Sequence, residues 1–163
     1  MSGVGLSIDI ADLLRAEMHV SRLALESGDA AKLLEELGEL GESQTRRRIE
    51  SEKTAPDGTA WPPNKEGHSI LLESGRHLRD SVAFVAHGGE EVEWGESWEF
   101  AHVHQYGATI VPKTAQRLAF TLNGKKVFAK KVTIPARPSV GVSAANAEEI
   151  TEHVSDFLGR LAA

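Results

Sequence analysis

The stretch "EFAHVHQYGAT", residues 99–109, places His102 and His104 one residue apart inside an aromatic frame. On a strand, residues i and i+2 share a face, and two imidazoles there could share a metal ion and support a metal-dependent hydrolase. On a helix, at about 100° per residue, the same two rings point roughly 200° apart and cannot meet on one ion. A strand would gather Trp98, Phe100, His102, His104 and Tyr106 on one face and leave Ala101, Val103 and Gln105 as an odd outer face. A helix fits the flanks better: Ser97 can cap it, Glu99 suits its first turn and Gly107 stops it. The expectation is a helix with one packed histidine and one at the surface.

His19, His68, His77, His87 and His153 are scattered without HExxH-type spacing, and no carboxylate stands at a ligand interval. The chain has no cysteine, which removes disulfide frameworks, thiolate metal sites and cysteine nucleophiles and fits a reducing cytoplasm. Serine-hydrolase, Walker and dinucleotide motifs are missing, and the pairs Glu90-Glu91 and Glu148-Glu149 read as solvated ends of elements. The expectation is a protein that is not an enzyme and needs no cofactor. Its net charge of -6 argues against a broad phosphate-binding surface. Arg46–Arg48 and the set Lys125, Lys126, Lys130 and Lys131 are local exceptions; they read as solvated faces, and as a nucleic-acid-binding factor only in a third reading. No apolar run approaches the roughly 20 residues of a membrane helix, and no signal peptide is expected.

The elements that must position these residues follow from periodicity. At 163 residues, 40% of them hydrophobic, one domain over 1–163 is expected. A first helix is expected over roughly 9–27, part of an extended N-terminal helical arm over 1–28. Asp29 then caps a second helix with Leu33, Leu37, Leu40 and Ile49 as its apolar stripe. "TAPDGTAWPPN" (54–64) is a surface loop centred on Trp61 and closed by Pro62 and Pro63; the tryptophan can lid the local core or anchor an assembly contact. A short helical turn precedes a strand over 82–86, which pairs across Gly88 and Gly89 with "EEVEWGE" (90–96). Asn123-Gly124 predicts a type I′ hairpin with Phe120 opposite Val127 and Leu122 opposite Lys125, and a bulge near Lys130 and Lys131. Pro135 and Pro138 hold Arg137 in an extended turn, and Ser143 or Asn146 caps a last helix with the stripe Ile150, Val154, Phe157 and Leu161. The fold class is α+β: an antiparallel sheet with hairpins packed by long N-terminal helices, a short central helix and a C-terminal helix.

Five motifs in order, "LLEELGELGESQTRRRIE", "DGTAWPP", "LLESGRHLRDSV", "FAHVHQYGATI" and "IPARPSVGVS", resemble the phage virion morphogenesis or tail completion family of Mu-like and P2-like tailed phages. The resemblance covers roughly 30–160. Within it, the "LxxSGxLxxS" step, formed here by Leu72, Ser74, Gly75, Leu78 and Ser81, carries His77 as an insertion between Arg76 and Leu78. The resemblance implies a structural protein of the virion, assembled in the host bacterial cytoplasm and placed at the head-tail junction or tail end as a neck, connector or tail-terminator ring. Its implied partners are other copies of itself, other phage neck, connector and tail proteins, and genomic DNA in passing, with no membrane. An acidic lining, including Glu90, Glu91, Glu93 and Glu96, would leave such DNA mobile. Candidate assembly contacts are Trp61, Pro62, Pro63, Asn123, Gly124, Lys125 and Arg137.

Overall fold

Leu33, Leu34 and Leu37 are almost wholly buried and form the apolar stripe of helix α1, Ser27–Arg47, which continues through one π turn, Arg48–Glu52. The helix begins two residues before Asp29, so Asp29 lies in its first turn, where a carboxylate favours the positive end of the dipole. The computed structural model describes residues 4–9, 27–65, 67–72 and 77–163. Against α1 lies a three-stranded antiparallel sheet made of β1 (Val4–Asp9), β2 (Val82–His87) and β3 (Glu91–Glu96), in the order β1-β3-β2. Two glycines let the helix approach closely: a Cβ at Gly38 would overlap the Phe84 ring, and one at Gly41 the Trp94 ring. Burial alternates along β3, with Val92, Trp94 and Glu96 turned inward and Glu93 outward.

The β2–β3 hairpin forms as its alternation predicts. The N-terminal expectation changes: Val4–Asp9 is a strand whose Leu6 pairs with Trp94 and whose Asp9 pairs with Glu91, and the rest of the expected first helix, 10–26, lies outside the described residues. The signal was a two-residue alternation, Val4, Leu6 and Ile8 against Gly5 and Ser7, too short to outweigh the apolar pattern that follows it.

A short helix α2 (His77–Asp80) leads into β2, and α3 (Ala101–Tyr106) follows β3. Ser74, Gly75 and Arg76 lie outside the described residues. β4 (Ala108–Ile110) pairs antiparallel with β7 (Val132–Ile134), and β5 (Leu118–Leu122) with β6 (Lys125–Ala129). Asn123 and Gly124 have φ of 49° and 73°, a type I′ turn that sets Phe120 opposite Val127 and Leu122 opposite Lys125. The bulge expected near Lys130 and Lys131 is instead a change of partner. β6 ends at Ala129 and β7 joins β4, so each strand keeps its own facing and the apolar phase jumps between them.

Helix α4 (Ala144–Ala162) adds Ile150, Val154, Phe157 and Leu158 to the core formed by Leu33, Leu34, Leu37, Val92 and Trp94. The stripe therefore closes on Leu158, and Leu161 is 40% exposed. Both expected capping residues act together: Asn146 N donates to Ser143 Oγ (3.1 Å) and Ser143 N donates to Asn146 Oδ1 (3.2 Å). Ser143→Ala is expected to cost about 1 kcal/mol, read as a lowered thermal midpoint, whereas Ser143→Asp should keep most of the cap. A second cluster, Ile49, Ala55, Trp61, Leu78, Val82 and Ala101, fills the space beyond the π turn. Among the described residues all three sheets are antiparallel and two long helices dominate the packing: the α+β class the pattern predicts.

Candidate functional site

The histidine segment folds as a helix, shorter than its flanks suggest. α3 starts after Phe100, and Ser97 does not cap it; Ser97 N and Oγ both donate to Ser81 O, at 3.0 and 3.1 Å, and tie the end of β3 to the start of β2. The two imidazoles do different things. His102 is exposed with Nδ1 3.0 Å from Glu99 O. His104 stacks on Trp98 at 5.8 Å between centroids, and Trp98 stacks in turn on His77 at the same distance. Burial, and secondarily the nearby Arg137 guanidinium, lower the pKa of His104, so it is held neutral. Among the described residues no group of three or more His, Asp or Glu is placed to hold a metal ion.

The polar chemistry of the molecule converges a few ångströms away, where the C-terminal end of α1, the Trp61 loop, α3 and the Pro135–Ser143 segment meet. Arg48 is 1% exposed. Its Nη1 donates to Ser139 O (2.8 Å) and Gly141 O (2.9 Å), and its Nη2 donates to Asn146 Oδ1, the atom that also caps α4. Gln105, on α3, grips the same segment like a strand neighbour: Nε2 donates to Val140 O (2.9 Å) while Oε1 accepts from Ser139 N (2.9 Å) and Val140 N (3.2 Å). Arg137 donates from Nε to Pro62 O (2.9 Å) and from Nη2 to Pro63 O (3.0 Å). In return Trp61 Nε1 donates to Pro138 O (3.1 Å). The two proline-rich motifs clamp each other, and a Cβ at Gly141 would meet the Pro56 ring.

This geometry redistributes the candidate contacts. Trp61 is 5% exposed and Arg137 is 6% exposed, so the side chains expected at a contact are spent inside the molecule, where they join the Trp61 loop to the Pro135–Ser143 segment. Pro62 and Pro63 offer their rings to solvent, and Asn123, Gly124 and Lys125 are exposed at the hairpin tip. Arg48 leaves the solvated basic face assigned to Arg46–Arg48 and becomes the centre of the hub. Glu96 leaves the acidic surface set: it is 2% exposed, neither carboxylate oxygen has a well-placed donor, and burial pushes its pKa up to about 7, partly offset by the Ser139 hydroxyl. Both positions carried a sequence signal. Arg48 falls three residues after Thr45 and seven after Gly41 on the buried side of α1, and Glu96 continues the inward alternation of Val92 and Trp94.

A polar cleft of about 480 Å³ lies along α1, lined by Glu39, Glu42, Arg46, Glu50, Arg79 and Phe84 among others. Its charges are largely matched within the cleft: Arg46 pairs with Glu42 at 2.9 Å, and Arg79 with Glu50. Among the described residues no helix is long and apolar enough to cross a membrane.

The picture is of an α+β unit whose buried polar groups are committed to joining loops, with an exposed hairpin and, among the described residues, sheet edges that no further strand pairs. The chain belongs to the phage virion morphogenesis family, whose model it matches over residues 11–159, and its role is in building the phage particle. Neither a curated protein nor a solved structure matches it.

Proposed function

We propose that this chain is a neck or tail-completion component of the head-tail junction, present as a ring of copies that joins finished tails to DNA-filled heads. Family membership supplies the assembly role. The observation that carries the finer reading is the β5–β6 hairpin: among the described residues it pairs with no third strand and makes no extensive contact with any other element. A lone two-stranded hairpin is marginal in water, so a persistent one implies a partner that completes it. The ring's other neighbours are phage neck, connector and tail proteins, and DNA passes through without being gripped. Of the glutamates once grouped as a lining, Glu90 and Glu93 are exposed and Glu91 half-buried, so they remain available to face such a passage.

A null mutant should accumulate full heads and separate tails, with infectivity restored when purified protein is added to the lysate. Normal joined particles in the null would sink the reading. Labelled protein in completed virions should appear at the head-tail junction.

A further inference from the structure

Charge is distributed very unevenly along this chain. Between Glu99 and Glu148 there is no acidic residue, while seven of the 18 Lys and Arg fall in 108–143, leaving eleven basic against 24 acidic residues elsewhere. Arg137 is buried, so six cations remain on or beside the hairpin: Lys113, Arg117, Lys125, Lys126, Lys130 and Lys131, all exposed. The hairpin also shows an apolar residue it cannot cover: Phe128 is 58% exposed, on the same strand face as Lys126 and just before Lys130.

On the opposite kind of surface, the side of the β1-β3-β2 sheet facing away from α1 has a shallow depression of about 260 Å³, lined in part by Gly5, Ala83, Val85, Glu93 and Gly95. Gly5 and Gly95 pair across β1 and β3, so the floor lacks side chains there. Val85 is 51% exposed beside it, and Glu93, with Glu90 and Glu91 at the hairpin end, makes its surroundings acidic. No described element covers this face.

We propose that the β5–β6 hairpin of one copy docks on this outer sheet face of the next copy, with Phe128 seated over the glycine floor and Lys126 and Lys130 against Glu91 and Glu93. The inference rests on the ring reading and supplies its contact. Two different surfaces meet, so the contact is heterologous, the type that closes into a ring by repeated rotation. A small apolar anchor surrounded by opposite charges is also the arrangement in which burial gives affinity and charge gives register. Nucleic acid is the other acceptor of a basic arm, but an exposed aromatic on the arm, together with a largely apolar depression on another face of the same chain, favours a protein surface.

The test is a charge-swap cycle on the full chain, read by sedimentation and light scattering across salt concentrations, with circular dichroism confirming the fold. Lys126→Glu with Lys130→Glu, and separately Glu91→Lys with Glu93→Lys, should each weaken self-association at least about tenfold. Combining all four should restore most of it, and Phe128→Ser should weaken it with little change in salt dependence. If the wild type assembles and both reversals assemble equally well, or the combination fails to recover, the contact is wrong while the ring survives. If the wild type remains a monomer throughout, the ring reading falls and takes the contact with it. If lysine reversal abolishes DNA retention and leaves assembly intact, the arm is a nucleic-acid surface and the proposal is overturned.

Discussion

Arg48→Ala is expected to remove a large share of the stability of this protein. The substitution strips donors from Ser139 O, Gly141 O and Asn146 Oδ1 at once. Ser139 and Asn146 are essentially buried, so water does not reach them freely. A buried acceptor left unpaired costs about 1–3 kcal/mol; Ser139 O and the half-buried Gly141 O lose their donor, while Asn146 Oδ1 keeps Ser143 N, so the loss is at least about 2 kcal/mol before the lost packing of the side chain is counted. Against a typical total of about 5–15 kcal/mol, that leaves a marginal fold. Arg48→Lys should recover only part of the loss, because one ammonium cannot reproduce the planar fork that spans a helix cap and two carbonyls. Arg48→Met should behave like alanine with respect to the hub, since it restores volume and no donor. Urea denaturation followed by circular dichroism checks this; an Arg48→Ala midpoint within about 1 kcal/mol of wild type would show that the hub is not structural.

The second large effect is a dependence on pH centred on Glu96. Its pKa in the folded protein is about 7, against an ordinary 4.5. Below pH 4.5 the carboxyl is protonated in both states and its contribution is fully present. Between 4.5 and 7 the unfolded chain has released the proton while the folded one holds it, so stability falls as pH rises. Above 7 the folded protein carries an unpaired buried charge and the loss is complete. At about 1.4 kcal/mol for each pKa step, the window is worth about 3 kcal/mol. Glu96→Gln should abolish the slope and melt higher than wild type at pH 8, while differing little at pH 4. Other carboxylates act in the opposite sense: the pKa of Glu149 is lowered by its bonds to Gln44 and Arg47. Comparing Glu96→Gln with wild type at each pH cancels them. Parallel pH profiles for the two proteins would remove Glu96 as the cause.

Neither residue stood out in the sequence, although both occupied positions where the local pattern pointed inward. Arg48 lies in a run of three arginines, and composition alone makes such a run a solvated face. What buries one of the three is the helical phase: Arg46 and Arg47 remain partly exposed and find Glu42, Glu52 and Glu149 at the surface. The Trp61 and Arg137 motifs were visible as motifs; Trp61 takes the lid role that the sequence left open, and Arg137 is turned inward as well. Prolines made both segments look like free loops available to a neighbour, whereas each supplies the carbonyls that the other's side chain needs.

The sequence by itself determined the α+β class, the helical stripes of α1 and α4, the β2–β3 pairing, the Asn123-Gly124 register, the Ser143 and Asn146 cap and the helix holding His102 and His104. These rest on propensity and periodicity within a dozen residues, where the chain carries its own instructions. Only the tertiary structure decided that Val4–Asp9 joins the sheet at β3, that β7 leaves β6 for β4, and that Arg48, Glu96, Trp61 and Arg137 face inward. Those outcomes depend on hydrogen-bond partners and packing surfaces that lie tens of residues away along the chain, and a side chain's local pattern cannot say which distant carbonyl will meet it.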